Sequence, residues 1–157
     1  MRNTLTTIAL AVIASAGIAY GVAAQQKAPA AAAALPKVTV YKTSSCGCCK
    51  LWVDHMNANG FVATVKDMDD VNPIKRQHAI AEPLWSCHTG IVGGYVIEGH
   101  VPAADIKRLL KEKPAIAGLS APGMPQGSPG MEQGTKEPYD VIAFTKDGRS
   151  TVFAKHK

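Results

Sequence analysis

Charged and aromatic residues are both scarce in this sequence, at 18% and 6% of 157 residues. Lysines and arginines nowhere form a dense block interleaved with stacking aromatic side chains, so nucleic-acid binding is excluded. The sequence also lacks a nucleophile-elbow pattern and the residue order of a Ser-His-Asp triad. Its carboxylates are scattered, with one cluster at Asp67, Asp69 and Asp70 that we interpret as loop and capping residues. Hydrolytic catalysis is therefore not supported.

The length and the hydrophobic content limit the architecture. With 157 residues the chain is too short for a two-domain enzyme, and 46% hydrophobic residues are too many for a disordered protein. The sequence contains no internal repeat of useful length. We expect one globular domain with a short appendage, in a monomeric protein.

The N-terminal residues have the composition of a targeting segment. A short basic stretch, Met1–Thr4, precedes an uncharged apolar run, Leu5–Ala24, that ends in small residues. This pattern predicts a secretory signal peptide over 1–24, cleaved after Ala23 or Ala24, and hence a periplasmic protein. The alternative is an uncleaved membrane anchor, because the run approaches the roughly 20 residues needed to span a bilayer. No cysteine lies near the cleavage position, which argues against a lipoprotein.

Alternating apolar residues, glycines and prolines predict the elements that follow an Ala/Pro-rich spacer over 25–36. In chain order we expect strand Val38–Tyr41, a helix from Gly47 to Asn59, strand Phe61–Val65, a short helix after Asp69-Asp70, strands Thr89–Val92 and Tyr95–Glu98, and a helix from Pro102. This β-α-β-α-β-β-α order is that of the thioredoxin fold. We therefore assign an α/β, thioredoxin-like domain to 37–113.

Local signals mark the ends of these elements. Thr43–Ser45 supplies candidate N-caps for the first helix, and Gly60 occupies the usual C-terminal glycine position. Gly93-Gly94 has the pattern of a two-residue hairpin turn. Pro102 begins the last helix at a first-turn position that proline tolerates.

The composition changes after this domain. Residues 114–134 are rich in Gly, Pro and Ser and are predicted to form a long loop, which in a compact domain is functional or disordered. Strands at Tyr139–Thr145 and Ser150–Ala154 are predicted to form a closing hairpin turned at Asp147-Gly148. We therefore expect 114–157 to be a Gly/Pro/Met-rich C-terminal extension.

The four cysteines fall in two short motifs, Cys46-Gly47-Cys48-Cys49 and Ser86-Cys87-His88. One interpretation is a pair of structural disulfides, as in many exported proteins. A bridge between the adjacent Cys48 and Cys49 would be strained, however. Two bridges crowded into one helical turn would also gain less than bridges that close long loops.

A second interpretation is dithiol redox chemistry by Cys46 and Cys49. These residues form a C-x-x-C motif at a strand-to-helix junction, where the free N–H groups of the helix stabilise a thiolate. Helical spacing places Cys49 on the core face with Val53 and Met56, and Cys46 toward the rim. This chemistry gives no role to Cys48.

A third interpretation is a soft-metal site. Three thiols at a helix N-terminus, a fourth thiol, an imidazole and nearby thioethers form a ligand set suited to Cu(I). Zinc is the competitor, but a tetrahedral zinc site normally uses cysteine pairs separated by two to four residues. Adjacent Cys48 and Cys49 point about 100° apart on a helix and chelate one ion poorly, whereas divergent thiolates can bridge several ions. The pattern favours a multinuclear copper site over one zinc ion.

Further histidines and methionines are candidate ligands. His88 follows Cys87 and precedes a strand, so its ring can reach the same cleft. His100 lies in a Gly-His-Val-Pro turn and is a candidate ligand, hydrogen-bonding partner of a ligand, or structural turn residue. Met124 and Met131 are flanked by glycine and proline rather than placed on an apolar helix face, which favours thioether ligation of copper.

Other residues of similar chemistry are assigned structural roles. Met56 and the two tryptophans, Trp52 and Trp85, are expected in the core or in the wall of the site. His55, His78 and His156 lack a companion ligand in the sequence and are predicted to be solvated surface residues.

Four segments in the same order resemble a known family. They are Cys46–Trp52, Ser86–Thr89, Gly94–Pro102 and Pro122–Met131. They closely resemble the CopG-like periplasmic copper-resistance proteins, a thioredoxin-like metal-binding family with a CxCC motif that was formerly a domain of unknown function. The resemblance runs from about Val38 to Phe153.

The resemblance implies a thioredoxin domain whose C-terminal extension helps to bind a cysteine-bridged copper cluster. It implies Cys46, Cys48, Cys49 and Cys87 as cluster ligands, joined by His88, and interconversion of Cu(I) and Cu(II) in copper detoxification. On this basis we expect a copper oxidoreductase in which Cys46 and Cys49 are catalytic. Its expected partners are copper ions and copper-efflux or other periplasmic copper-handling proteins, with a membrane contact only if the N-terminal segment is uncleaved.

The sequence leaves two other functions open. A passive copper-binding protein or metallochaperone would transfer Cu(I) reversibly without changing its redox state. A periplasmic thiol–disulfide oxidoreductase would exchange disulfides in a reaction that survives loss of Cys48 and is abolished by loss of Cys49.

Overall fold

The computed structural model describes residues 34–157, so the predicted signal peptide over 1–24 and most of the predicted spacer lie outside the described residues. In chain order, the elements are β1 (Val38–Lys42), α1 (Gly47–Ala58), β2 (Ala63–Asp67), α2 (Asn72–Gln77), β3 (Thr89–Val92), β4 (Tyr95–Gly99), α3 (Ala103–Glu112), β5 (Gly118–Ala121), β6 (Tyr139–Phe144) and β7 (Ser150–His156). A short 3₁₀ turn, Glu82–Leu84, lies between α2 and β3. No helix in this part of the chain is long and apolar enough to cross a membrane.

The seven strands form one mixed sheet in the order β2-β1-β3-β4-β5-β6-β7. Strand β1 pairs in parallel with β2 and antiparallel with β3, and β3 pairs antiparallel with β4. Strand β4 pairs in parallel with β5, and the last two pairings are antiparallel. The described chain therefore has a mixed α/β fold in which the sheet continues without a break into the C-terminal strands.

Apolar side chains cover both faces of this sheet. In β4, Ile97 belongs to a large core with Trp52 of α1 and Leu109 of α3, whereas its neighbour Val96 belongs to a smaller core with Ile80. Successive residues of a strand point to opposite faces, so the two cores lie on opposite sides of the sheet. Helices α1 and α3 thus pack on the same face.

Helix α1 begins at Gly47, as predicted, but its N-cap is not one of the predicted residues. Its N-cap is Cys46, whose Sγ accepts a hydrogen bond from the Cys49 backbone N–H at 3.3 Å, so the prediction of Thr43–Ser45 as caps is wrong. Sulfur is an uncommon capping acceptor, which is why the hydroxyl residues looked better suited. At the other end Gly60 has φ +87°, as predicted for a glycine that terminates a helix.

The last helix is capped by a side chain from the first. The backbone N–H of Ala103, at the start of α3, donates to His55 Nε2 at 3.1 Å. Pro102 was predicted to be the first residue of this helix, but it is the N-cap, and the helix begins at Ala103. This bond satisfies one of the N–H groups that a helix start leaves without a partner and ties α3 to α1.

The predicted long loop over 114–134 contains a strand. Residues Gly118–Ala121 form β5, which lies between β4 and β6 and is buried at all four positions. A strand buried on both faces shows no polar/apolar alternation, and its Gly-Leu-Ser-Ala sequence is low in β-branched residues. The loop prediction is wrong here, and the true loop starts after Ala121. The predicted closing hairpin is confirmed as β6 and β7.

Candidate metal centre

The sheet register brings the two cysteine motifs together. Strands β1 and β3 are antiparallel neighbours, and Tyr41 near the end of β1 pairs with Thr89 at the start of β3. The turn that leads to Cys46 and the segment that carries Cys87 therefore meet at one edge of the sheet. The sulfur atoms of all four cysteines lie within 4.8 Å of one another.

Two of the four sulfurs are bonded to each other. Cys46 and Cys49 form a disulfide with their Cα atoms 5.3 Å apart, while Cys48 and Cys87 are free thiols. The Cys46 Sγ lies 3.5 Å from the Cys48 Sγ. Cys49 is fully buried and Cys46 is partly exposed, as the helical spacing predicts. A four-thiolate site therefore requires two-electron reduction of this disulfide.

Cys87 also belongs to a second group of donor atoms. Its Sγ lies 3.0 Å from His100 Nε2 and 3.4 Å from His88 Nδ1. Donor atoms of these three residues all lie within 4.8 Å of one another. Because Cys87 is common to both groups, the thiols and the imidazoles form one continuous donor set.

A backbone carbonyl determines the tautomer of His100. Its Nδ1 lies 2.8 Å from the Pro129 carbonyl oxygen, which can only accept, so Nδ1 carries the proton. Burial lowers the pKa of His100, which favours the neutral ring. The lone pair of the neutral imidazole is then on Nε2, which faces Cys87. This is the arrangement that orients a histidine for metal binding.

His88 is the most deeply buried of the imidazoles. Its ring centroid lies 4.5 Å from Trp52 and 4.9 Å from His100, and its residue is fully buried. Burial, with further contributions from His100 and Lys75, lowers its pKa well below the usual value, so the ring is neutral. Among the described residues, its Nε2 is the buried side-chain nitrogen or oxygen that lacks a hydrogen-bond partner. Trp52 is confirmed as part of the core and as a wall of the site.

Burial also controls the charge on Cys87. It raises the pKa of this thiol to about 12, and proximity to Cys48 adds to the rise. The thiol is therefore protonated at neutral pH. A metal ion that binds Cys87 has to displace its proton.

A Gly/Pro/Met-rich loop covers the start of α1. Gly130 has φ +86°, and a Cβ added there would lie 2.7 Å from the Cys48 carbonyl oxygen and 2.9 Å from the Trp52 nitrogen. The loop backbone therefore lies directly against the first turn of the helix, and only glycine fits. At the beginning of the loop, Gly123 forms an isolated bridge with Ser86, next to Cys87.

Between this loop and α1 lies a cavity of about 550 Å³. It is lined by Gly47, Cys48, Leu51, Met124, Gln126, Gly130, Met131 and Gln133. The structure thus places both predicted methionine ligands beside Cys48. Met124 is half exposed, and Met131 is partly buried.

Sequence reasoning missed a buried ion pair behind Cys87. Lys75 on α2 donates to Glu98 on β4, with side-chain exposures of 1% and 0%. Glu98 also accepts from the Ser86 N–H at 2.6 Å and from Thr89 Oγ1 at 2.7 Å. These bonds fix the segment that carries Cys87. The sequence gives one signal for the burial of Lys75. It lies four residues after the apolar Val71, and residues at this spacing share one face of a helix.

Two of the three remaining histidines differ from the solvated surface residues that the sequence predicts. His55 is half buried and caps α3, and burial lowers its pKa. His156 Nε2 lies 2.7 Å from Asp105 Oδ2, and its ring stacks on Tyr139 with centroids 4.8 Å apart. His78 is partly exposed at the C-cap of α2. The prediction is wrong for His55 and His156 because both partners come from distant parts of the chain.

The described residues have a mixed α/β fold in which four cysteine sulfurs lie close together and two neutral imidazoles lie beside Cys87. This arrangement makes the chain a protein able to bind metal ions.

A family profile described as "Protein of unknown function, DUF411" matches residues 84–131. Two solved structures named "Copper resistance protein copG", forms 2 and 1, are 40% and 41% identical, with TM-scores of 0.74 and 0.73. Each alignment covers 78% of this chain, and 99% and 98% of the respective other chain. No curated protein matches the chain.

The identity and coverage are decisive for classification. The chain belongs to the family of the copper resistance protein CopG. The resemblance seen in the four sequence segments is thereby confirmed.

Proposed function

We propose that this protein binds copper in copper resistance, at a cluster formed by the four cysteine sulfurs. The observation that carries the proposal is their convergence within 4.8 Å, on elements separated by about 40 residues in sequence. Membership of the CopG family supports copper as the metal. His88 and His100 complete the proposed donor set beside Cys87.

The chemistry of the donors favours copper over zinc. Thiolates and thioethers are soft ligands that prefer Cu(I), whereas a structural zinc site needs four ligands converging tetrahedrally on one ion. Cys48 and Cys49 are adjacent in the sequence, unlike the cysteine pairs of a structural zinc site, which are separated by two to four residues. Four soft sulfur donors packed this closely can bridge several copper ions. We therefore propose a multinuclear site.

The Cys46–Cys49 pair supports a redox function. In the reduced protein, the two thiols can give one electron each to two Cu(II) ions. The products are two Cu(I) ions, the disulfide seen in this structure and two protons, so that atoms and electrons balance. The same equation in reverse oxidises Cu(I). We therefore propose that the protein interconverts Cu(I) and Cu(II), with Cys46 and Cys49 as the catalytic pair.

The fold and the compartment complete the proposal. The partial sheet β2-β1-β3-β4, with β1 parallel to β2 and antiparallel to β3, supports a thioredoxin-like assignment for 37–113. The C-terminal residues 114–157 add β5, β6 and β7 and supply the loop over α1. The basic and apolar pattern over 1–24 supports export to the periplasm, where copper-efflux or other copper-handling proteins are the proposed partners.

The redox proposal is tested by mixing anaerobically reduced protein with Cu(II). We expect two Cu(I) ions to appear, measured with a Cu(I)-specific chelator, for every two thiols lost. Cys49→Ser is the matched control, because it retains three thiols but cannot form the Cys46–Cys49 bond. Binding of Cu(II) without loss of thiols would favour the alternative of a passive copper-binding protein or metallochaperone.

A second candidate function is thiol–disulfide oxidoreductase. The specific observation in its favour is the Cys46–Cys49 disulfide at the start of α1, where the helix N-terminus stabilises the thiolate released on reduction. Insulin reduction by wild type and by Cys48→Ser separates the two functions. Equal, rapid reduction by both proteins, with unchanged copper stoichiometry, would favour the oxidoreductase. The copper proposal predicts that Cys48→Ser sharply lowers the copper stoichiometry.

A further inference from the structure

The cavity between α1 and the Gly/Pro/Met-rich loop separates two kinds of sulfur donor. Met124 and Met131 line it from the loop, and Cys48 lines it from the helix. Of the four cysteines, all of which the structure describes, Cys48 alone lines this cavity. Cys49 and His88 are fully buried and do not line it.

We propose that Met124 and Met131 form an outer Cu(I)-capture site that loads the inner thiol cluster through Cys48. This inference rests on the proposed copper function and assigns to the thioethers a kinetic role, separate from ligation of the inner cluster. Met124 is 53% exposed, so its sulfur can meet a copper donor. His88 and His100 are fully buried and cannot do so.

The chemistry of the cavity suits a monovalent soft cation. A thioether carries no proton in the physiological range and no charge, so it binds Cu(I) without the proton release that a thiol requires. Thioethers are poor ligands for Zn²⁺ and Mg²⁺, which prefer imidazole or oxygen donors. No Asp, Glu, Lys or Arg side chain lines this cavity, so general electrostatic attraction of divalent ions is weak there.

Cys48 provides the link to the inner donors. Its Sγ lies 3.5 Å from the Cys46 Sγ and within 4.8 Å of the sulfurs of Cys49 and Cys87. In the transfer step, a copper–thioether bond breaks and a copper–thiolate bond forms at Cys48, whose proton passes to water. Copper remains Cu(I) throughout, so the step needs neither an oxidant nor a reductant.

The test is the rate at which fully reduced protein takes Cu(I) from its coloured bicinchoninate complex under anaerobic conditions. For Met124→Leu/Met131→Leu, we expect loading to be slower by about tenfold, while the number of copper ions bound at equilibrium stays at the wild-type value. Leucine has nearly the volume of methionine, so the loop is retained. Met68→Leu is the matched control, since Met68 does not line the cavity, and we expect wild-type loading.

A second readout places copper on the thioethers directly. With methyl-¹³C methionine, the Met124 and Met131 methyl signals should shift on the first addition of Cu(I) to Cys46→Ser/Cys49→Ser protein, which has no disulfide to oxidise the metal, while the Met68 signal stays unchanged. Loading of the double variant at the wild-type rate, or a loss of copper at equilibrium, would overturn the capture role. Absence of copper uptake by wild type would instead refute the proposed function itself.

Discussion

At the scale of single residues, Cys87 is the donor that joins the thiols to the imidazoles. Its Sγ faces His100 Nε2 at 3.0 Å and lies beside His88. Burial raises its pKa to about 12, whereas burial lowers the pKa of both imidazoles. At neutral pH this part of the site is therefore uncharged and holds one proton that a metal has to displace.

This charge state predicts how copper binding depends on pH. Copper is expected to bind more tightly as the pH rises, by about tenfold per pH unit for each proton displaced from a thiol. The imidazoles do not compete, because they are already neutral. Cys87→Ser should reduce the proton release on Cu(I) loading by about one proton per chain, measured by pH-stat titration. Equal proton release by both proteins would show that copper does not bind the Cys87 thiolate.

His88 supplies a second test at this scale. Its Nε2 is buried without a hydrogen-bond partner, an arrangement that costs about 1–3 kcal/mol and that an apolar side chain avoids. We expect His88→Leu to unfold in urea within about 1 kcal/mol of wild type in the metal-free form. The added stability that copper gives to wild type should fall in the variant. Retention of the full copper-induced stabilisation would exclude His88 from the site.

At the scale of elements, the loop over α1 positions His100. The loop backbone supplies the Pro129 carbonyl oxygen, which accepts the hydrogen bond that keeps the proton of His100 on Nδ1. Gly130 lets the loop backbone lie directly against helix α1. Internal bonds stabilise the loop, including Met131 N–H to the Ser128 carbonyl at 2.8 Å. The contact of Gly130 with α1 is thus coupled to the orientation of a proposed ligand.

Gly130→Ala tests this coupling. A Cβ at this position would collide with the backbone of α1, so we expect a cost of about 1–3 kcal/mol beyond the left-handed strain, together with weaker copper binding. Gly148→Ala is the matched control, because its φ of +85° is nearly the same and a Cβ there meets nothing within 4 Å. Urea unfolding and competition with a Cu(I) chelator measure the two effects. Equal effects of both substitutions on copper affinity would contradict the coupling.

The elements differ in how far the sequence predicts them. The hairpin β3–β4 and the strands β1, β6 and β7 follow from apolar alternation and glycine turns, which are local signals. Strand β5 does not, because its four buried residues, Gly-Leu-Ser-Ala, acquire their conformation from the strands on either side. Thr43–Ser45 failed as caps because the Cys46 sulfur fills that position.

The same distinction applies to the site. The convergence of Cys46 and Cys87 could be expected from neighbouring strand ends, and both methionines could be placed near it from their unusual glycine–proline context. The Pro129 carbonyl and the Lys75–Glu98 pair could not, because these interactions join residues that carry no shared motif and meet only in the folded sheet.

At the scale of the whole molecule, the Lys75–Glu98 pair joins α2 to β4 and, through Ser86, to the site. Removing one partner of a buried ion pair leaves the other charge uncompensated. We expect Lys75→Met to lower the free energy of unfolding by about 3–5 kcal/mol, and Lys75→Met/Glu98→Gln to recover part of it. Urea unfolding measures both.

The exposed pair Lys50–Asp54 provides the comparison. Its side chains are 72% and 56% exposed, and such surface pairs contribute about 0–1 kcal/mol. Lys50→Met should therefore leave the unfolding midpoint nearly unchanged. If it destabilised the protein as much as Lys75→Met, burial would not be the cause of the difference.

The most direct measurement of the central claim is the copper content of the fully reduced protein. Anaerobic titration with Cu(I), followed by metal analysis, should give more than one copper ion per chain, bound in preference to zinc. Cys48→Ser should sharply lower this number. Less than one copper per chain, or a clear preference for zinc, would contradict a copper cluster built on the four cysteine sulfurs.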